Sequence, residues 1–375
     1  MHKNRKIIAI AIFVLFIIFF GRVLVSVLKF TPVLFNVLFN KKIALKNANT
    51  NTNFNILIMG KGGGTHDGPD LTDTIIFAQI NPSKNSVSMV SIPRDLWVPD
   101  IKEKVNTAYA IGRGKRQDGG LVLAKAVVSK VVGQPISYAV VIDFDGFIKA
   151  VDQIEGLDIT VDRSFDDYQY PVEEKREDLC GHSLEEVTGM IATLSATVVF
   201  PCRYEHVHFE AGPTHLDGKQ ALIFVRSRYA QGEEGTDFAR SKRQQKVIKA
   251  FKDKIFSLGI LLNPIKISNL SSILSDSIDT DITQDEIDDF IKLAQKMRQA
   301  KISSTVLEQE DIAEQKAGLL INPPLDETNG IWMLIPRKGQ GDFSEIQSYI
   351  SCFISGGDCT ISEPYEKRKP TPTTH

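Results

Sequence analysis

Several absences narrow this 375-residue chain before any motif is considered. Neither sign of charge dominates. Lysine and arginine number 44 against 46 acids, a formal net charge of −2, which excludes a protein that coats nucleic acid and leaves its arginines to serve a local anion. No repeat of solenoid length runs through it. The four cysteines contain no CxxC pair, and His182, His206 and His208 lack a clear ligand spacing, so a zinc centre is the minor reading of these residues. The Walker pattern GxxxxGK[ST] is missing. The glycine-rich stretch at Gly60, Gly62, Gly63 and Gly64 fails the dinucleotide pattern GxGxxG because Thr65 occupies its last place, which leaves a nucleotide fold poorly supported. With 42% hydrophobic and 24% charged residues, the composition is that of a globular chain long enough for one large domain or two smaller ones.

One long apolar run is present. Ile7 to Leu28 is almost wholly apolar, with Gly21 and Arg22 inside it, and at about 1.5 Å per residue it can cross a hydrocarbon core about 30 Å thick. Lys3, Arg5 and Lys6 before it favour a cytoplasmic N-terminus, although Lys29, Lys41 and Lys42 reduce the asymmetry. A cleaved signal peptide competes, but no small-x-small site closes the run. The expectation is a single-pass anchor in the cell membrane with the remainder outside the cytoplasm. Val33 to Phe39 reads as a juxtamembrane helix or as the first helix of the soluble domain. Export agrees with an even cysteine count falling in two local pairs, and bridges Cys180 to Cys202 and Cys352 to Cys359 are expected.

After a polar linker at 47–53, NFNILIMG reads as a buried strand. HDGPDLTDT then places Asp67, Asp70 and Asp73 ahead of a strand at Thr74 to Ile80. Three carboxylates at a strand entrance can hold a hard ion such as Mg2+, or they can simply cap a solvated turn. SVSMVSI forms a hairpin partner that runs into Pro93, Arg94 and Asp95, leaving Arg94 at a strand end. VNTAYAIG suggests a short helix bearing Asn106 and Tyr109. Helices follow at Gly119 to Val132 and Phe144 to Ile154, with strands SYAVVID and LDITVD. The fold class is therefore α/β: a mixed central β-sheet flanked by helices on both faces, an α-β-α sandwich, preceded by one N-terminal transmembrane helix. The expected divisions are 1–46 for cytoplasmic N-terminus, anchor and juxtamembrane segment, and 54–300 for the extracytoplasmic domain. Within that domain, 163–204 reads as a disulfide-pinned insertion of structural role; 301–362 reads as a small extension and 363–375 as a disordered tail.

The stretch from Leu222 to Gln245 organises the rest. Ala221 to Arg228 alternates and reads as a strand, on which Arg226 and Arg228 share a face. Glycines and acids break the pattern at Gln231 to Gly235. Thr236 or Asp237 can then cap a helix whose first turns carry Arg240, Arg243 and Gln244. Arg240 and Gln244 continue into Val247, Phe251 and Ile255, an apolar stripe aimed at the core. Guanidiniums turned towards the protein body call for an anion, and arginine grips phosphate oxygens bidentately. The competing reading is an ion-pair network with Glu233, Glu234 and Asp237.

Taken together, NILIMG, LTDTIIFAQINP, VSIPRDLWV, VNTAYA, YAVVIDFDGF, HLDGKQALIFVRSR and DFARSKRQQ closely resemble, in order and spacing, the LytR-CpsA-Psr family of bacterial cell-envelope proteins, over roughly residues 55–256. The resemblance implies an anchored enzyme that takes a glycopolymer phosphate from a polyprenyl pyrophosphate carrier and transfers it to a cell-wall hydroxyl, typically on peptidoglycan, assisted by Mg2+. It also implies catalytic roles for Asp73, Arg94, Arg226, Arg228 and Asp237. The implied pyrophosphate set is Arg94, Arg226, Arg228, Arg240 and Gln244, joined here by Asn106 and Lys61. Asp73 matches the implied metal-associated aspartate, and Asp70 is added from this chain's own aspartate run as its partner in the metal site. Two departures stand out: Gly62 lies where the family often has an aspartate, and Leu71 where it often has an arginine, with Asp70 and Lys61 offering a nearby carboxylate and charge. Two rival functions use the same arginines: a non-catalytic lipid-glycan binder or envelope regulator, and a polyprenyl pyrophosphatase in which water replaces the sugar hydroxyl.

Overall fold

The computed structural model describes residues 43, 45, 53–64, 68–255, 277–310 and 317–361, with the side chains of Asp237 and Phe238 excepted. The expected anchor at 7–28, the juxtamembrane segment, the linker up to residue 52, Asp67, residues 256–276 and the tail at 363–375 lie outside the described residues. Among the described residues no helix is long and apolar enough to cross a membrane.

The strands are β1 (Phe54–Lys61), β2 (Thr72–Asn81), β3 (Ser86–Ser91), β4 (Tyr138–Asp143), β5 (Leu157–Val161), β6 (Phe165–Pro171), β7 (Tyr204–Phe209), β8 (Gly212–Leu216), β9 (Ile278–Thr280) and β10 (Lys301–Val306). The helices are α1 (Ala108–Lys115), α2 (Gly119–Val132), α3 (Phe144–Gln153), α4 (Leu184–Met190), α5 (Gly218–Arg226), α6 (Asp237–Ile255), α7 (Ile287–Lys296) and α8 (Ser344–Ser355).

Six strands form a mixed sheet in the order β9-β4-β1-β2-β3-β10. β1 runs parallel to β4 and antiparallel to β2; β3 runs antiparallel to β2 and parallel to β10, while β9 is antiparallel to β4. The carboxyl ends of β1, β3, β4 and β10 therefore share one edge with the starts of β2 and β9. Each central strand is apolar on both sides because both sides are covered. Leu57, Met59, Phe77 and Val90 pack with α2 and α8 through Val128, Val131, Ile346 and Ile350. The alternate residues face the other way, Phe54 and Ile56 against Leu293 and Met297, and Ile76, Ala78 and Met89 against Ile248 of α6. This is the expected mixed sheet between helical layers.

Three readings change. Ala221 to Arg228 is not a strand. The chain is helical from Gly218, because Asp217 accepts from the Gln220 N–H at 2.7 Å while Gln220 Oε1 accepts from the Asp217 N–H at 3.1 Å. This reciprocal cap starts α5, and Ala221, Leu222 and Phe224 become its buried stripe. Arg226 is accordingly the last residue of α5, and Arg228 lies in the loop beyond it. Secondly, LDITVD forms β5, which pairs with β8 rather than joining the central sheet. Its residues Leu157 and Ile159 share a separate core with Ala150, Val151, Phe224 and Val247. Thirdly, the chain after residue 300 adds β10 to the sheet and α8 to its cover instead of standing apart. Both expected disulfides are present, Cys180–Cys202 and Cys352–Cys359.

Candidate functional site

The shared sheet edge collects the charged residues. β3 ends just ahead of Pro93, and Arg94 turns back to place Nη1 2.5 Å from Asp73 Oδ1, near the start of β2. Its Nε donates to Asp95 at 3.4 Å, and Asp95 also accepts from Lys104 at 2.8 Å. Burial disfavours the Arg94 charge, but Asp73 and Asp95 outweigh it and raise its pKa, so the guanidinium is a permanent cation. Beside Asp73, the Thr74 hydroxyl accepts from Gln244 Nε2 on α6 at 3.1 Å. Arg240 sits one turn earlier on that helix and is half-buried.

At the end of β1, Lys61 pairs with Asp70 at 2.7 Å. Arg113 of α1 approaches the same carboxylate at 3.5 Å and donates to the Tyr109 hydroxyl at 3.1 Å. Tyr109 in turn donates to Asp279 of β9 at 2.6 Å, and burial together with that bond raises its pKa far enough to keep it a neutral donor. Gly63, at φ +68°, brings the turn after β1 so close to β4 that a Cβ there would stand 2.8 Å from Asp143 Cβ, so a glycine is required.

Asn106 is buried, its N–H donating to Arg94 O at 3.3 Å and its carbonyl accepting from Thr72 Oγ1 at 3.2 Å. Its side-chain oxygen is buried without a hydrogen-bond partner among the described residues. Arg226 donates to Glu173 at 2.7 Å and lies over the Phe144 ring at 4.3 Å. Phe144 opens α3 directly after β4, where Asp143 caps the helix by accepting from the Gly146 N–H at 2.7 Å. Arg226 thereby lies against the residue that follows the carboxyl end of β4. Arg228 is exposed, and among the described residues its side chain makes no ion pair. The Asp237 side chain lies outside the described residues.

The structure thus links Lys61 with Asp70, Asp73 with Arg94, and Gln244 with Thr74, and ties Arg226 to the end of β4. Asp73, Asp70 and the orphaned Asn106 oxygen all offer hard oxygens, the donor chemistry that Mg2+ takes, with each carboxylate here paired to a cation. The cluster of Asp178, Cys180 and Cys202 does not suit a metal, since both sulfurs are spent in the disulfide.

One residue of the site's framework escaped the sequence reading. Asp167 is fully buried; its Oδ2 accepts from Ser227 Oγ at 2.7 Å and from the N–H groups of Arg228 and Tyr229, each at 3.1 Å, so it sets the loop that carries Arg228. Its inward position two residues after buried Phe165 follows the period of a strand, which was the available signal. Arg243, 3% exposed, is a clasp: it donates to Phe224 O at 2.9 Å, to Ser227 O at 2.6 Å and to Glu234 Oε2 at 2.9 Å, joining the end of α5 to α6. The ion-pair reading therefore holds for Arg243. Burial lowers its pKa, with Glu234 opposing.

Fold and site define an α/β sandwich with a cluster of acid-paired cations at the carboxyl edge of its sheet, the place where open α/β sheets bind ligands. The chain belongs to the LytR_cpsA_psr family, which residues 36–332 match. It is 28% identical over 236 residues to the polyisoprenyl-teichoic acid–peptidoglycan teichoic acid transferase TagV of Bacillus subtilis, an alignment covering 61% of this chain and 50% of that protein. TagU of Bacillus cereus is 28% identical over 64% of this chain and 63% of its own length. TagU of Enterococcus faecalis is 26% identical over 84% of this chain and 93% of its own. The chain thus spans half to under two thirds of the first two relatives. The crystal structure of B. subtilis TagV superposes with a TM-score of 0.53 at 22% identity, covering 82% of this chain and 99% of that one. A structure of TagT bound to LIIa-WTA superposes at 0.50 with 20% identity, covering 83% and 94%. At those identities the likeness is one of fold.

Proposed function

We propose that this protein is a membrane-anchored, extracytoplasmic phosphotransferase that moves a glycopolymer phosphate from a polyprenyl pyrophosphate carrier to a hydroxyl of the cell wall. The observation that carries this reading is the meeting of Arg94 with Asp73, 21 positions apart, at the edge where Gln244 of α6 reaches Thr74. Family membership supports it, as do relatives named for transfer of teichoic acid to peptidoglycan.

Phosphoryl transfer needs positioning and charge neutralisation more than covalent chemistry. Arg94, Arg226, Arg228 and Arg240 grip the diphosphate oxygens, and Gln244 and Asn106 orient them. Lys61 and Arg113 add positive charge beside Asp70. As the bond to the lipid phosphate breaks, negative charge gathers on the departing oxygens, and guanidiniums already fixed by Asp73, Phe144 and the Asp167-held loop meet it without reorganising. Asp73 with Asp70 would hold Mg2+, which supplies Lewis-acid neutralisation of phosphate oxygens when bound. Asp95, between Arg94 and Lys104, is a carboxylate placed to accept the acceptor's proton.

The test is to incubate the full-length protein with a polyprenyl pyrophosphate glycan, a peptidoglycan acceptor and Mg2+, beside Arg226→Ala and Arg228→Ala. A covalent glycan–wall product that both substitutions diminish is expected. Carrier binding without product identifies a binder, and release of phosphorylated glycan with no wall adduct identifies a pyrophosphatase.

A further inference from the structure

The insertion at 163–204 is not only a surface excursion, because it puts an acid on a site arginine. Glu173 lies in the 3₁₀ turn Glu173–Lys175, and its Oε1 is 2.7 Å from Arg226 Nη2. The turn is braced. The Val172 N–H donates to Arg203 O at 2.8 Å, and the adjoining turn Pro201–Arg203 contains Cys202, bridged to Cys180. Arg226 has aromatic neighbours in Phe144, 4.3 Å from its guanidinium carbon, and Tyr170 of the insertion strand β6, at 5.8 Å. The arginine is held in place while its N–H edge faces the carboxylate.

A guanidinium fork accepts carboxylate and phosphate oxygens in the same geometry. The Glu173 side chain is 38% exposed and that of Arg226 18%, so the acid can swing into water whereas the cation is confined. We propose that Glu173 is a built-in competitor for the phosphate oxygen on Arg226: it occupies the guanidinium before the carrier arrives, is displaced by the diphosphate and returns as product leaves. This rests on Arg226 being a diphosphate ligand. Once displaced, the carboxylate remains beside the bound anion and repels it, which loosens the carrier and hastens release of the spent lipid phosphate.

Titration calorimetry of the full-length protein with inorganic pyrophosphate tests the idea. Glu173→Gln keeps size and an acceptor oxygen for Arg226 but removes the charge; Glu185→Gln, an exposed acid of α4, makes the same change in net charge within the insertion. Glu173→Gln is expected to tighten pyrophosphate binding about two- to fivefold, the range of a partly exposed ion pair, with Glu185→Gln near wild type. Unchanged or weaker binding in Glu173→Gln, while Arg226→Ala still removes binding, makes Glu173 a strut and overturns the proposal alone. Equal tightening by both substitutions also overturns it, reducing the effect to net charge. Wild-type protein that fails to bind pyrophosphate, or binds it without needing Arg226, overturns both the proposal and the site reading beneath it.

Discussion

Arg94 and Asp167 show two different uses of a single charge. Arg94 is half-buried, aimed at Asp73, and exchangeable for a stronger anion. Its loss should spare the fold. Arg94→Ala is expected to lower the transfer rate by about 10²- to 10³-fold, as for removal of one charge-stabilising donor, with little change in melting temperature. Product formation and thermal denaturation, measured side by side, check this; comparable losses of activity and of stability would make Arg94 a structural residue. Asp167 is the reverse case, a carboxylate sealed from water whose acceptors are filled by Gln169, Ser227, Arg228 and Tyr229. Asp167→Ala orphans those donors and is expected to cost about 3 kcal/mol in denaturant unfolding, while reducing activity through the Arg228 loop.

At the level of elements, the join between α5 and α6 depends on Arg243, which satisfies carbonyls at the C-terminus of α5 that the helix itself cannot. Arg243→Met retains much of the bulk but leaves those carbonyls and Glu234 unpaired. A loss of about 2 to 4 kcal/mol is expected, read by chemical denaturation. The β6–β7 hairpin responds to pH instead. Asp166 accepts from His206 at 2.7 Å and from His208 at 2.9 Å, and His208 also faces Glu210 at 3.1 Å. The hydrogen bond to Asp166, then that to Glu210, raises the His208 pKa, and the two histidines lower that of Asp166. The His208 contribution is fully present below the imidazole's unfolded pKa and is lost as pH rises through the raised folded value. That of Asp166 is present above its unfolded pKa and lost as pH falls through the lowered one. The hairpin is therefore best paired in mildly acidic solution. An NMR titration should place the His208 midpoint above that of a free imidazole, and Asp166→Asn should bring it down.

For the whole molecule, the sheet decides what meets. Because β1, β3 and β4 end on the edge where β2 begins, Lys61, Arg94, Asp143 and Asp73 become neighbours although they span some eighty positions of sequence. A site built from several cations against a diphosphate is salt-sensitive. Pyrophosphate binding should weaken steeply as ionic strength rises, and chelation of divalent ions should suppress transfer more than carrier binding; full transfer in excess chelator would remove Mg2+ from the reading.

The buried strands, α2 with its Gly133 stop, the hairpin of β2 and β3 and both disulfides were legible because apolar period, turn residues and cysteine spacing are local properties. α5 was misread since ALIFV suits a strand and a helix equally, and the deciding cap lies upstream at Asp217 and Gln220. Sequence by itself determined which residues are basic, acidic and apolar, and, through the order of its motifs, the family. Only the tertiary structure decided that Arg243 is a clasp, that Glu173 of the insertion sits on Arg226, and that Asp167 holds the Arg228 loop. Those pairings join positions 9 to 61 apart, and such distances are settled by the packing of the elements rather than by the residues between them.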